Sequence, residues 1–159
     1  MNTYTTEKPD ITLIGVSVRT TNAEEAGPNG RLPGLWETYF GSNIASRTGT
    51  NNPHFIYALY TDYESDATGA YTTLIGHEAG EEAVQDENYT CRVIPESKYI
   101  VFTTRRGPVY EVVAQAWGDI WAYFKEYPEA RAYTGDFELY DSRNFDPTDT
   151  EVQIYIAIK

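Results

Sequence analysis

At 159 residues and 18.0 kDa, with 41% hydrophobic and 23% charged residues, the chain has the size and balance of one globular domain, which excludes disorder and coiled coil. No apolar run reaches the roughly 20 residues of a membrane span. The formal net charge of −12 is repelled by phosphate backbones and draws cations instead, which argues against direct nucleic-acid binding.

Residues 1–10 are polar and lack a signal-peptide core, and a single cysteine, Cys91, forms no intramolecular disulfide, so a cytoplasmic location is expected. Ile11–Arg19 is a β-branched run and reads as the first strand. A loop rich in Gly, Pro and Asn follows. Pro33 then opens a helix that carries Leu35, Trp36, Tyr39, Phe40 and Ile44 at helical spacing. Phe55–Thr61 and Tyr71–Glu78 read as a hairpin around a polar, Gly-containing loop. Residues 80–88, GEEAVQDEN, are acidic and read as a solvated linker. Tyr89–Ile94 is a short strand ended by Pro95, and Tyr99–Arg105 a better one. Gly107-Pro108 opens the strongest helix. Its apolar face holds Val109, Val112, Val113, Ala116, Trp117, Ile120 and Phe124, Lys125 suits the C-terminal dipole, and Pro128 stops it. Asp136–Asp141 and Glu151–Ile158 are the closing strands.

The order strand, helix, strand, strand therefore occurs twice. Tyr57-Ala58-Leu59-Tyr60 overlays Phe137-Glu138-Leu139-Tyr140, and LWETYF matches WGDIWAYF in character. A period of about 80 residues is too long for a solenoid. The expected fold is α+β: a duplicated βαββ unit with pseudo-two-fold symmetry, an antiparallel sheet and two main helices. The whole chain is one domain, with repeat one at about 11–79, the linker at 80–88 and repeat two at about 89–159.

The run IPESKYIVFTTRRGPV resembles the repeat-opening motif of the GyrI-like, or bacterial effector-binding, domain family. FELYD followed by EVQIYIAI resembles its closing hairpin, and PGLWETYF its first helix. The family supplies the ligand-sensing half of AraC-type and MerR-type transcription activators and also occurs as free-standing domains. The resemblance implies a cleft between the repeats that takes cationic amphipathic aromatic compounds. The family glutamate that pairs with the cation falls on Glu138. Some free-standing members are linked to hydrolysis of cyclopropane-bearing electrophiles with the same Glu, so hydrolysis is the alternative to binding. The Trp often found about fifteen residues before that Glu is Tyr123 here, with Trp121 two positions off, which favours binding.

The residues carry their own argument. Alternation along a strand puts Phe137 and Leu139 on one face, expected against a helix, and Glu138 and Tyr140 on the other. Repeat one has Ala58 where repeat two has Glu138. This leaves a solvated strand Glu, or an acid among aromatics with a raised pKa that an organic cation would satisfy; the resemblance favours the second. Tyr60, Tyr140 and Tyr155 either line the cleft or pack across strands. Trp117 is expected in the core, whereas Trp36 and Trp121 flank the helices where a cleft would lie. The ligand-binding set is thus Glu138, Tyr140, Tyr60, Tyr155, Trp36, Trp121 and Tyr123, with Glu138 as base if the chain is an enzyme. His54 and His77 are far apart, and Glu78, Glu81, Glu82, Asp86 and Glu87 lack a calcium-loop pattern, so no metal is expected. No Gly-rich phosphate loop calls for a cofactor. Cys91 is expected to be a quiet buried thiol. The expected partner is a small cationic molecule, read out by a separate regulator protein if the domain is a sensor, since the chain has no room for a helix-turn-helix module.

Overall fold

The structure is a computed structural model that describes residues 2–47, 52–80, 89–143 and 145–159, so the expected linker beyond Gly80 lies outside the described residues. The strands are β1 (Asn2–Lys8), β2 (Ile11–Thr20), β3 (Phe55–Thr61), β4 (Tyr71–Glu78), β5 (Thr90–Ile94), β6 (Ser97–Thr103), β7 (Asp136–Asp141) and β8 (Gln153–Ile158). The helices are α1 (Asn22–Glu25), α2 (Leu32–Ser42) and α3 (Val109–Glu126), with a 3-10 turn at Ile44–Arg47. No helix is long and apolar enough to cross a membrane among the described residues.

All pairings between neighbouring strands are antiparallel, in the order β1-β6-β8-β7-β3-β4-β2-β5. Exchanging the two halves of the chain (β1 with β5, β2 with β6, β3 with β7, β4 with β8) returns the same order read backwards. The leading strand of each half pairs with the other half, β1 on β6 and β5 on β2. The halves meet where β3 pairs with β7, in a register that sets Ala58 opposite Glu138.

The connections dictate the curvature. β1 and β2 stand six places apart in the sheet, about 29 Å if it were flat, yet only Pro9 and Asp10 join them, a reach of about 11 Å. The same holds for β5 and β6, joined by Pro95 and Glu96. The sheet therefore rolls back on itself. The backbone N–H of Glu96 donates to Asp10 Oδ1 at 2.7 Å, tying the two connections together. Gly15 and Gly76 face each other across β2 and β4. A Cβ on Gly76 would sit 2.0 Å from the Ile14 carbonyl oxygen, so no larger residue fits there.

Both faces of this sheet are buried. Inside the roll lie Leu13, Tyr57, Leu59, Leu74, Ile94, Tyr99, Val101, Phe137 and Tyr155. On the outer face α3 buries Val112, Ala116, Ile120 and Phe124, and the last three pack against Phe102, Ile154 and Ile156. The Val, Ile and Phe side chains among these each contribute about 1.5–3 kcal/mol when fully buried. α2 lays Leu35 and Tyr39 over Val16, Ala58 and Ile75, and Tyr140 packs against the cores under both helices.

Three expectations need correction. Phe137 and Leu139 do not pack on a helix; they point into the roll, and Glu138 and Tyr140 face the helices. The polar stretch 1–10 contains the edge strand β1. Cys91 is exposed on β5, the other edge, because only β2 pairs with that strand.

Candidate functional site

Glu138 sits on β7 beneath the helices and is 3% exposed. Three neutral groups donate to its carboxylate. Tyr60 Oη donates to Oε2 at 2.7 Å from the facing strand β3. Trp117 Nε1 donates to Oε2 at 2.7 Å from α3. Tyr140 Oη donates to Oε1 at 2.5 Å from two residues along β7. Strand alternation explains the tyrosines: Ala58 and Tyr60 share the face that Glu138 and Tyr140 occupy, and Ala58, being small, leaves room for the acid opposite.

No basic group forms an ion pair with Glu138 among the described residues. Burial pushes its carboxyl above the usual range, while the bonds from Tyr140, Trp117 and Tyr60 pull the other way and offset part of the rise. Burial, with the carboxylate nearby, also drives the Tyr60 and Tyr140 phenols well above their ordinary value, so both remain protonated donors. Asp136 gives the contrast. It is fully buried on the same strand, but Arg131 Nη2 pairs with its Oδ2 at 2.8 Å, Tyr63 donates at 2.6 Å and the Ala157 N–H donates to Oδ1 at 2.8 Å. Among the described residues, one buried acid has a cation and the other has none.

Aromatic rings close over Glu138. Trp117 meets Tyr60 edge-on at 5.3 Å and Trp121 at 6.1 Å, and Trp36 of α2 meets Tyr140 edge-on at 5.4 Å. The structure thus gathers Glu138, Tyr60 and Tyr140, with Trp36 and Trp121 one ring further out. It does not bring in the other two expected residues. Tyr155 pairs with Phe137, stacks on it at 4.6 Å, and so lies inside the roll on the opposite face. Tyr123 is 38% exposed, and its ring neighbours are Phe102, Phe124 and Tyr127. Trp117, expected in the core, packs against the core under α3 and is also a direct partner of the acid. Its signal was in the sequence: an indole N–H in the middle of an apolar helix face needs an acceptor, and the sheet below offered one. Among the described residues no cluster of three or more His, Cys, Asp or Glu side chains is placed to hold a metal ion.

Residues 5–158 match the family model described as Cass2, the integron-associated effector binding protein. The chain is 36% identical over 148 residues to YobU of Bacillus subtilis (strain 168), named as a candidate transcriptional regulator, covering 92% of this chain and 91% of that one. Among solved structures it is similar to the integron cassette protein VCH_CASS2 of Vibrio cholerae, with 31% identity, a TM-score of 0.79, and 99% and 95% of the two chains covered. The structure of SAV2435 bound to tetraphenylphosphonium has the same fold, with 21% identity, a TM-score of 0.78, and 100% and 94% covered.

Proposed function

The chain belongs to the integron-associated effector-binding family, a family of ligand-sensing domains, and from that premise we propose that it binds cationic amphipathic aromatic compounds between α2 and α3, with Glu138 as their counter-charge. The observation that carries this reading is the burial of Glu138 with three neutral donors and, among the described residues, no cation. A buried charge ordinarily has an opposite charge beside it. A guest cation would take that place.

The described state is closed, so a ligand must part the rings of Trp117, Tyr60 and Tyr140 to reach the acid. Those rings then become its walls. A cation over an aromatic face gains about 0.5–2 kcal/mol, depending on desolvation, and two or three such contacts suit a binder of broad specificity. At about 4.5 Å and an effective dielectric of 20, the carboxylate attracts a unit cation by about 3.7 kcal/mol. If half offsets the cation's own desolvation, about 1.9 kcal/mol remains, or roughly 25-fold in Kd. Both carboxylate oxygens already accept hydrogen bonds, which supports a counter-charge over a hydrolytic base. The tetraphenylphosphonium in the SAV2435 structure, a lipophilic aromatic cation, is of the chemical class proposed.

Fluorescence titration with rhodamine 6G and an uncharged analogue tests the proposal. The cation should bind, the neutral analogue should bind at least roughly tenfold more weakly, and Glu138→Gln should remove the difference. Equal binding of both dyes, or a Gln variant that binds like wild type, would overturn the electrostatic account.

A further inference from the structure

A cavity of about 400 Å³ opens at the mouth of the roll, on the face of the sheet opposite Glu138. Its aromatic and aliphatic wall is built by Tyr57, Phe137, Leu139 and Tyr155, and its charged rim includes Lys8 and Glu78. Alternate residues of the same two strands serve the two faces: Tyr57 and Phe137 look inward, Ala58 and Glu138 outward. The cavity is therefore separate from the acid beneath the helices, and its argument does not depend on that site.

Three charged residues stand on the rim: Asp10, whose Oδ1 accepts the Glu96 N–H, and Lys8 and Glu78, which have no oppositely charged side chain within ion-pair distance among the described residues. Lys8 Nζ lies 5.6 Å from the centre of the Tyr155 ring and has no acidic side chain within ion-pair distance among the described residues. Glu78 accepts the Tyr57 hydroxyl at 2.6 Å through Oε1 and has no basic partner among them either. No ion pair joins them; in the sheet, β7 and β3 lie between β8, which carries Tyr155, and β4, which carries Glu78. Between them run Phe137, Tyr57 and Leu139. A cavity of this volume is within the range of small-molecule sites, which pair an apolar wall with a few placed polar groups.

We propose that this cavity is a second binding site, for a small amphoteric molecule with an aromatic middle, its amine at Glu78 and its acid at Lys8. The rolled sheet forms the site because the short β1–β2 connection carries Lys8 back across the mouth of the roll, opposite the end of β4. A ligand charged at one end only satisfies half of it.

Three ring compounds of matched size test this: 4-(aminomethyl)benzoate, 4-methylbenzylamine and 4-methylbenzoate, titrated into the ¹⁵N-labelled full chain and followed by amide chemical shifts. The amphoteric compound should bind roughly tenfold tighter than either singly charged one, with shifts at Ile11, Tyr57, Ala79 and Leu139. Glu78→Gln keeps an acceptor for Tyr57 and should reduce the amphoteric compound to the affinity of 4-methylbenzoate. Lys8→Met should reduce it to that of 4-methylbenzylamine. Glu138→Gln should change neither, which separates this site from the one beneath the helices. Equal affinities for the three compounds, no shifts at millimolar concentration, or shifts centred on Trp117 and Tyr140 would each overturn the proposal. Both rim residues are partly exposed, and thermal unfolding of each variant confirms that any loss is local.

Discussion

Trp117 offers the sharpest test of how the buried acid is held. Its indole N–H donates to Glu138 Oε2 at 2.7 Å and, among the described residues, is the one bond that reaches the carboxylate from a helix. Trp117→Phe keeps a ring against Tyr60 and removes the donor. A hydrogen bond to a charged group contributes about 1.5–3 kcal/mol, so at pH 8 the substitution should cost about 2 kcal/mol or somewhat more, since the smaller ring also loses packing. For a chain of this length 2 kcal/mol lowers Tm by about 4–8 °C. In a Glu138→Gln background the acceptor is a neutral amide, and the bond is worth only about 0.5–1.5 kcal/mol. Packing loss is common to both backgrounds and cancels in the cycle, leaving a coupling of about 1–1.5 kcal/mol between the two positions. Urea denaturation of the four proteins measures it. The same substitution should tighten rhodamine 6G binding, because it weakens the closed arrangement that the dye must displace. Additive stabilities, with a coupling near zero, would show that the indole merely lies beside the acid. Weaker dye binding would show that the closed rings do not compete with the ligand.

Two further outcomes follow from the buried charges. Burial raises the Glu138 carboxyl above its ordinary value of 4.5, so the folded chain holds that proton more tightly than the unfolded one. Stability relative to Glu138→Gln should be greatest below about pH 4.5 and should decline as pH rises through the shifted value, while dye affinity grows over the same interval. Titrations between about pH 4 and 8 check both, and an affinity flat across that interval would refute the role of the charge. Arg131→Met strips the cation from Asp136, which is fully buried and keeps only neutral donors. The expected loss is about 3–5 kcal/mol in urea denaturation. A loss under about 1 kcal/mol would mean that Tyr63 and the Ala157 N–H suffice for that acid.

Apolar and β-branched runs bounded by turn residues were enough to place β2, β3 and β4, and apolar steps of three and four placed both long helices. β1 was not legible in this way. NTYTTEK carries one large apolar residue, and it is a strand because β6 supplies seven pairing partners, a tertiary cause that leaves no trace in its own pattern. The candidate acid was legible through the asymmetry of Ala58 and Glu138. Which side of the sheet it faced was not. Alternation groups residues by face without saying which face holds the helices, and here both faces are apolar. Tyr155 failed for a related reason. Its parity within β8 was clear, but its place depends on the register with β7, which pairs it with Phe137 and sets Glu138 opposite Ile154. Register between strands from distant connections is decided by packing.

The meeting of Ala58 and Glu138 bears on why such a fold is made as one polypeptide. If two copies of a single unit associated as a homodimer with this strand pairing, the residue at that position would confront its own twin. Side chains paired so closely across strands have Cβ atoms about 4.5–5.5 Å apart, and two carboxylates there would repel and share a proton instead of standing ready as one anion. Joining the units end to end frees the two positions to differ, so that one can become methyl and the other acid. A solitary negative charge at the junction is therefore available to a fused chain and closed to a homodimer of identical units.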